Sequence, residues 1–277
     1  MSELPSPLTS AGRGDNEELN IFPPPLGGGW GGARIFSTLL LIALVIWSLA
    51  GIQNSAPPNT KETAEIFRQM FLRPKLSYLP DVLTGLRESI QIAALGTAIA
   101  AVLALPFGVL AARNLARLAA LPFVGKLLLN AIRTFPEILL AIAFIKSVGP
   151  GPFAGVLAIA IHSIGMVGKL YAERIETVDK GALEALAATG ASPLEIFRNG
   201  IIPEVLPDFL SFALYRFDLN VRSASVLGLV GAGGIGTLLQ IQRLGGNWPE
   251  IGVIVMGIVT TVLFVDFFSA KLRAKLA

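Results

Sequence analysis

Apolar residues fall along the chain in six long runs, at 35–52, 86–112, 121–148, 153–172, 206–230 and 251–269. A helix needs about 20 such residues to cross a hydrocarbon core of roughly 30 Å. Inside lipid every backbone polar group must be satisfied within the segment, which selects helices for runs of this kind. The pattern predicts an all-α polytopic membrane protein with six transmembrane helices. The first run carries Trp47 near one end, an interfacial position.

The segments between the runs have patterns of their own. Residues 1–34 are rich in Gly and Pro and contain PPPLGGGWGG; Glu3, Asp15, Glu17 and Glu18 face only Arg13 and Arg34. A secretory leader is short and positive at its start, so this stretch reads as a disordered tail. In 53–83, Ala64, Phe67, Met70 and Phe71 share one helical face, with Glu62, Glu65 and Arg68 mostly elsewhere. That predicts a short helix, either lying on the membrane surface or packed on protein.

Composition supports a membrane chain. Apolar residues make up 53% and charged residues 15%, with a mean hydropathy of +0.67, against about 25% charged in soluble domains. The net charge of +3 is too small and too scattered for nucleic acid. The absence of cysteine excludes disulfides and thiolate metal sites, and a single histidine argues against a histidine-built metal centre.

Six spans place both termini on one side, and basic loops select the cytoplasm. The tail 270–277 holds Lys271, Arg273 and Lys275; Arg113, Arg117 and Lys126 cluster between runs two and three; Arg174, Lys180 and Arg198 lie between runs four and five. All fall on one face. Lys146 and Arg243 fall on the other, and Lys61, Arg68, Arg73 and Lys75 in 53–83 run against the rule. Both termini are expected in the cytoplasm and 53–83 outside.

The segment 181–207, GALEALAATGASPLEIFRNGIIPEVLP, is too polar to span. Helix formers at 184–188 lead to Gly190, suited to a left-handed helix end. Ser192 then offers a capping box, with Pro193 at the first helical position and Glu195 at the third. Gly200 and Pro203 are expected to close this second helix. The spacing predicts two short exposed helices at 181–203, joined at Gly190–Ala191, forming either a docking knob or a plain connection.

This loop resembles the permease signature EAA-x3-G-x9-I-x-L-P of binding-protein-dependent ABC importers. Glu184, Ala185, Gly190 and Pro203 match; Leu186, Gly200 and Ile202 stand where the signature has Ala, Ile and Leu. A closer resemblance, to the phosphonate/phosphite subfamily, covers 84–269, carried by RFDLNVRSASVLGLVGAGGIG at 216–236, by GPGPFAGVLAIAIHSIGMVGKL at 149–170 and by ATGAS at 188–192. The resemblance implies a type I ABC importer permease fold over 84–269 and a place in the bacterial plasma (inner) membrane. It implies a second permease copy as homodimer partner, two ATP-binding cassette subunits that hold ATP and Mg, and a periplasmic or lipid-anchored solute-binding protein. It assigns coupling to the ATPase to Glu184, Ala185 and Gly190, with Ser192 and Pro193 shaping the unit, and implies import of phosphonate, phosphite or a related phosphorus oxyanion. The chain itself carries no cofactor and is no enzyme on this reading.

Gly231, Gly233 and Gly236 satisfy G-x-G-x-x-G, but they follow an intramembrane helix rather than a strand, so dinucleotide binding is rejected. Charges inside spans face a cavity or a partner. Arg133 and Glu137, four apart, are expected to pair. Arg216 and Asn220 share one helix face, Asp218 and Arg222 another. Such a helix lines either a path, where Arg216 or Arg222 with Ser223, Ser225 and His162 can meet an anion, or the interface between two copies. His162 also reads as a hydrogen-bonded packing residue, and Asp266 as interfacial or helix-pairing. Two rivals stand beside the subunit reading: a permease for another small anion, and a self-contained secondary transporter, for which no internal repeat is visible. An integral-membrane enzyme lacks its acid/base or metal constellation.

Overall fold

The computed structural model describes residues 30–52, 59–115 and 120–276. The expected tail 1–34 therefore lies outside the described residues up to position 29, as does Arg117 of the basic connection. Two compact units are present, divided between Pro58 and Asn59.

The first unit contributes helix α1, Trp30–Ile52, which begins five positions before the expected run. Its described side chains form an apolar stretch, Ile35–Gly51.

The second unit is a helical bundle. Its elements are α2 (Thr60–Leu72), α3 (Leu79–Ala111), α4 (Ala120–Thr134), α5 (Glu137–Val148), α6 (Pro152–Glu176), α7 (Lys180–Ala188), α8 (Pro193–Ile196), α9 (Ile202–Leu227), α10 (Ile235–Leu244) and α11 (Trp248–Arg273). Among the described residues, four helical stretches are long and apolar enough to cross a membrane, and a fifth span exists if α4 and α5 are counted together. The six sequence runs thus correspond to α1, α3, α4 with α5, α6, α9 and α11.

Helices α3 and α6 form the centre and run parallel: an added Cβ on Gly96 would meet Ile159, and one on Gly108 would meet Tyr171. Small residues let the two backbones approach, the usual basis of helix packing in membranes. Helix α9 runs the other way. Its start packs Val205 and Phe209 beside Ala104 and Tyr171, and Tyr171 and Phe209 stack at 3.8 Å between ring centroids. Its far end packs Val221, Ala224 and Leu227 against Ile92 and Ile159.

Three expectations change. The run 121–148 is not one helix: α4 and α5 meet at 79°. Pro136 lacks an N–H and forces Phe135 out of helical geometry, so the ladder stops there. The bend removes the four-residue spacing that would have paired Arg133 with Glu137. The second short helix is not closed by Gly200 and Pro203 either; it passes through a π-turn, Phe197–Ile201, directly into α9, with Pro203 in the first turn of α9. A proline there loses no hydrogen bond because the first-turn N–H groups are unpaired by helix geometry.

The glycine run after α9 is a packing turn. Gly231, Gly233 and Gly234 have φ of 95°, 84° and 71°, open to glycine at little cost. An added Cβ on Gly236 would lie 2.1 Å from the Ser225 carbonyl oxygen. Gly151 N donates to Gly231 O at 2.9 Å, closing this end of the bundle. Helix α2 packs along α11, where an added Cβ on Gly252 would lie 1.9 Å from the Met70 carbonyl oxygen. Lys75 is tied to Glu250 at 2.8 Å, and Phe67 and Phe71 stay exposed. Helix α2 therefore both packs on protein and presents an apolar stripe outward.

Candidate functional site: an intramembrane polar cavity and an exposed helical knuckle

The break between α4 and α5 creates the first site. It places Glu137 at the first turn of α5 and leaves the Phe135 carbonyl without a helical partner. His162 of α6 supplies that partner: Nδ1 lies 3.0 Å from Phe135 O. A carbonyl only accepts, so Nδ1 carries the proton and Nε2 is turned toward Glu137 Oε1 at 3.6 Å. Glu137 accepts from Arg216 Nη2 instead of from Arg133. Arg216 Nε donates to Ser163 Oγ at 2.9 Å, and Nη1 lies 3.3 Å from Met166 Sδ. Asn220 Nδ2, one turn along α9, donates to Thr97 Oγ1 at 2.8 Å and to Ser163 Oγ at 3.1 Å. A continuous polar chain thus joins α3, α9, α6 and α5. Thr97, Ser163, Arg216 and Asn220 are buried and paired, as polar groups away from water must be, and Glu137 reaches the edge of the cavity.

The other polar face of α9 points to α11. Arg222 Nη2 donates to Asp266 Oδ1 at 2.6 Å and to Asp218 Oδ1 at 3.2 Å. The Arg222 side chain is 45% exposed, that of Arg216 only 6%. Between α5, α6 and α9 lies a cavity of about 550 Å³, lined by Glu137, His162, Arg216, Arg222 and Ser223 with apolar neighbours.

The structure therefore brings His162, Arg216, Arg222 and Ser223 to one cavity. It keeps Asn220 fully buried in the polar chain, and Asp218 as a buried partner of Arg222. Ser225 turns away, donating to Val221 O at 3.3 Å. Glu137, Ser163, Thr97 and Asp266 complete the network. Glu137 was visible as a charge inside a run, but its partner 79 residues away had no local signal.

The second site is the α7–α8 knuckle. Asp179 Oδ1 accepts from Gly181 N at 2.9 Å and caps α7. Gly190 takes φ 84° at the joint. The capping box is present: Ser192 N donates to Glu195 Oε2 at 2.7 Å, Glu195 N to Ser192 Oγ at 3.4 Å, and Pro193 starts the helix. The hydrogen bond from the Ser192 backbone holds the Glu195 carboxyl below its usual range. Glu184, Ala185, Gly190, Ser192, Pro193 and Leu194 are exposed. The base is fixed by Arg174 of α6, which pairs with Asp208 and, at 3.4 Å, with Glu204 of α9.

Two departures from the family signature compensate each other. An added Cβ on Gly200 would meet Leu186 Cδ1 at 2.8 Å and Leu183 Cδ2 at 3.0 Å. A leucine at 186 occupies the room that a glycine at 200 leaves. Gly200→Ile alone is expected to loosen the knuckle, and adding Leu186→Ala to restore it. Their coupling energy should be about 1–2 kcal/mol, as for side chains in contact. Hydrogen exchange over 180–200 reads it; additive effects would refute the pairing.

Known proteins resemble this chain. The chain is 42% identical over 200 residues to the phosphite transport system permease protein PtxC of Stutzerimonas stutzeri, covering 72% of this chain and 73% of that protein. It is 39% identical over 178 residues to the phosphate-import permease protein PhnE of Mycolicibacterium smegmatis, covering 64% of this chain and 33% of that protein. A chain of the MetNI methionine ABC transporter in an inward-facing conformation superposes with a TM-score of 0.65 at 21% identity, over 73% of this chain and 98% of that one; this likeness shows the fold, that of a type I ABC importer permease. Residues 104–273 match the binding-protein-dependent transport system inner membrane component, and a multi-pass membrane chain with this match belongs to that family.

Proposed function

We propose that this chain is the permease subunit of an ATP-driven importer for phosphite, a phosphonate or a related phosphorus oxyanion. The observation that carries the reading is the cavity between α5, α6 and α9, where the half-exposed Arg222 guanidinium stands beside Ser223, His162 and the paired Arg216. A path for an anion needs positive charge to admit it and a counter-charge to let it go; Asp218 and Asp266 supply the second. The relatives named for phosphite and phosphate transport support the substrate class.

On this reading two copies assemble with two ATP-binding subunits, which hold ATP and Mg, and with an external solute-binding protein. Both termini face the cytoplasm, so α7 and α8 project toward the ATPase. Closure of the ATPase pair pushes the knuckle, and the Arg174 bonds to Glu204 and Asp208 pass the push to α6 and α9. Liposomes holding the chain, its ATPase and its binding protein are expected to take up radiolabelled phosphite only with all three components and ATP. Arg222→Ala should lower uptake at least about tenfold, the worth of one charge-assisted hydrogen bond. Uptake by this chain alone, or undiminished uptake by the Arg222→Ala complex, would refute the reading.

A further inference from the structure

The charges around the cavity balance. Glu137 of α5 neutralises Arg216 of α9. Arg222 of α9 is bonded by two carboxylates through a single nitrogen, Asp218 of its own helix and Asp266 of α11. Arg273, two turns along α11 from Asp266, is within electrostatic reach of both carboxylates. Its guanidinium lies over the Tyr215 ring at 5.7 Å, and its Nη1 is buried with no hydrogen-bond partner among the described residues. His162 of α6 completes the set. Three arginines thus face three carboxylates. An anion that touches Arg222 stands beside Asp218 and Asp266.

We propose that Asp266 is a specificity-determining residue that limits the path to singly charged oxyanions by competing with them for Arg222. The inference rests on the transport reading above. The physical reason is the field. A guanidinium already shared by two carboxylates offers its remaining nitrogens to one negative charge. A second charge on the ligand is repelled by both aspartates, which stand within hydrogen-bond distance of the same guanidinium nitrogen. Arg273, with its unpartnered Nη1, is placed to take the carboxylate that a singly charged ligand displaces. Arg222 can then change partners without leaving Asp266 unpaired.

The test uses two probes and the purified permease–ATPase complex without its binding protein. Hypophosphite carries one charge throughout the neutral range, whereas phosphite gains a second as pH rises from about 6 to about 8.5. Equilibrium binding to the wild-type complex is expected to weaken about tenfold for phosphite over that interval and to stay level for hypophosphite. In Asp266→Asn the phosphite loss should shrink to less than about threefold, and Asp266→Glu should restore the wild-type profile. Asp218→Asn, which removes the other carboxylate, should also flatten it and serves if Asp266→Asn does not fold. Unchanged phosphite profiles in both asparagine variants overturn the inference. A parallel fall of hypophosphite overturns it too, since a group of the protein would then set the pH dependence. Binding of both anions to Arg222→Ala as tight as to wild type refutes the transport reading itself, whatever the profiles do.

Discussion

Replacing Glu137 with leucine is expected to destabilise the bundle by about 3–5 kcal/mol, the usual result of removing one partner from a buried ion pair. Arg216 would keep only Ser163 and Met166 as partners, with its largely buried charge left without a counter-ion. Glu137→Gln, which retains an acceptor oxygen, should cost less. The informative variant is the double one, Glu137→Leu with Arg216→Met. It removes both charges, and hydrophobic replacement of a whole buried pair is often neutral, so most of the lost stability should return. The double variant also separates two roles for Arg216. If that arginine only joins α5 to α9, uptake persists in the double variant because Arg222 is intact. If it meets the anion, uptake is lost although the fold recovers. Thermal unfolding in detergent, paired with uptake in liposomes, measures both. Equal instability of the single and double variants would show that the pair holds the helices by more than its charge balance.

The Glu137–Arg216 pair also marks where sequence reasoning stops. The capping box at Ser192 and the two polar faces of α9 are set by neighbours within four residues, and each is readable from spacing alone. The partner of Glu137 was not, because local periodicity assigns it to Arg133. Pro136 gave a sign of the break, yet the apolar character continues on both sides and hid it. The same holds at Gly200: as a helix breaker it predicts an end, but Leu186 and Leu183 pack over it and the chain continues through a π-turn into α9. Asp266 is the one charged residue in the apolar run 251–269, and only the approach of α11 to α9 reveals its hold on Arg222. The cavity's residues were largely legible as types; their pairing was a property of the folded bundle.

The knuckle carries the other large expected effect. Gly190→Val should reduce uptake more than about tenfold while the chain stays folded. An added Cβ at Gly190 meets nothing within 4 Å, so the substitution causes no clash. Its cost is the backbone: φ of 84° in a β-branched residue is unfavourable by about 1–2 kcal/mol. The chain relieves that cost by moving α8 relative to α7, which displaces the surface offered to the ATPase. Gly190→Asn should be far milder, since asparagine tolerates the left-handed region. Glu184→Ala tests the surface without the backbone. Glu184 is exposed and makes no ion pair among the described residues, so stability of the isolated chain should stay within about 0.5 kcal/mol, as for surface changes generally. Assembly with the ATPase should nevertheless weaken about tenfold, the scale expected when an interface is deprived of one charged side chain. If Glu184→Ala leaves both assembly and uptake intact, and Gly190→Val behaves like Gly190→Asn, then α7 and α8 are a connection between α6 and α9, and force reaches the bundle by another route.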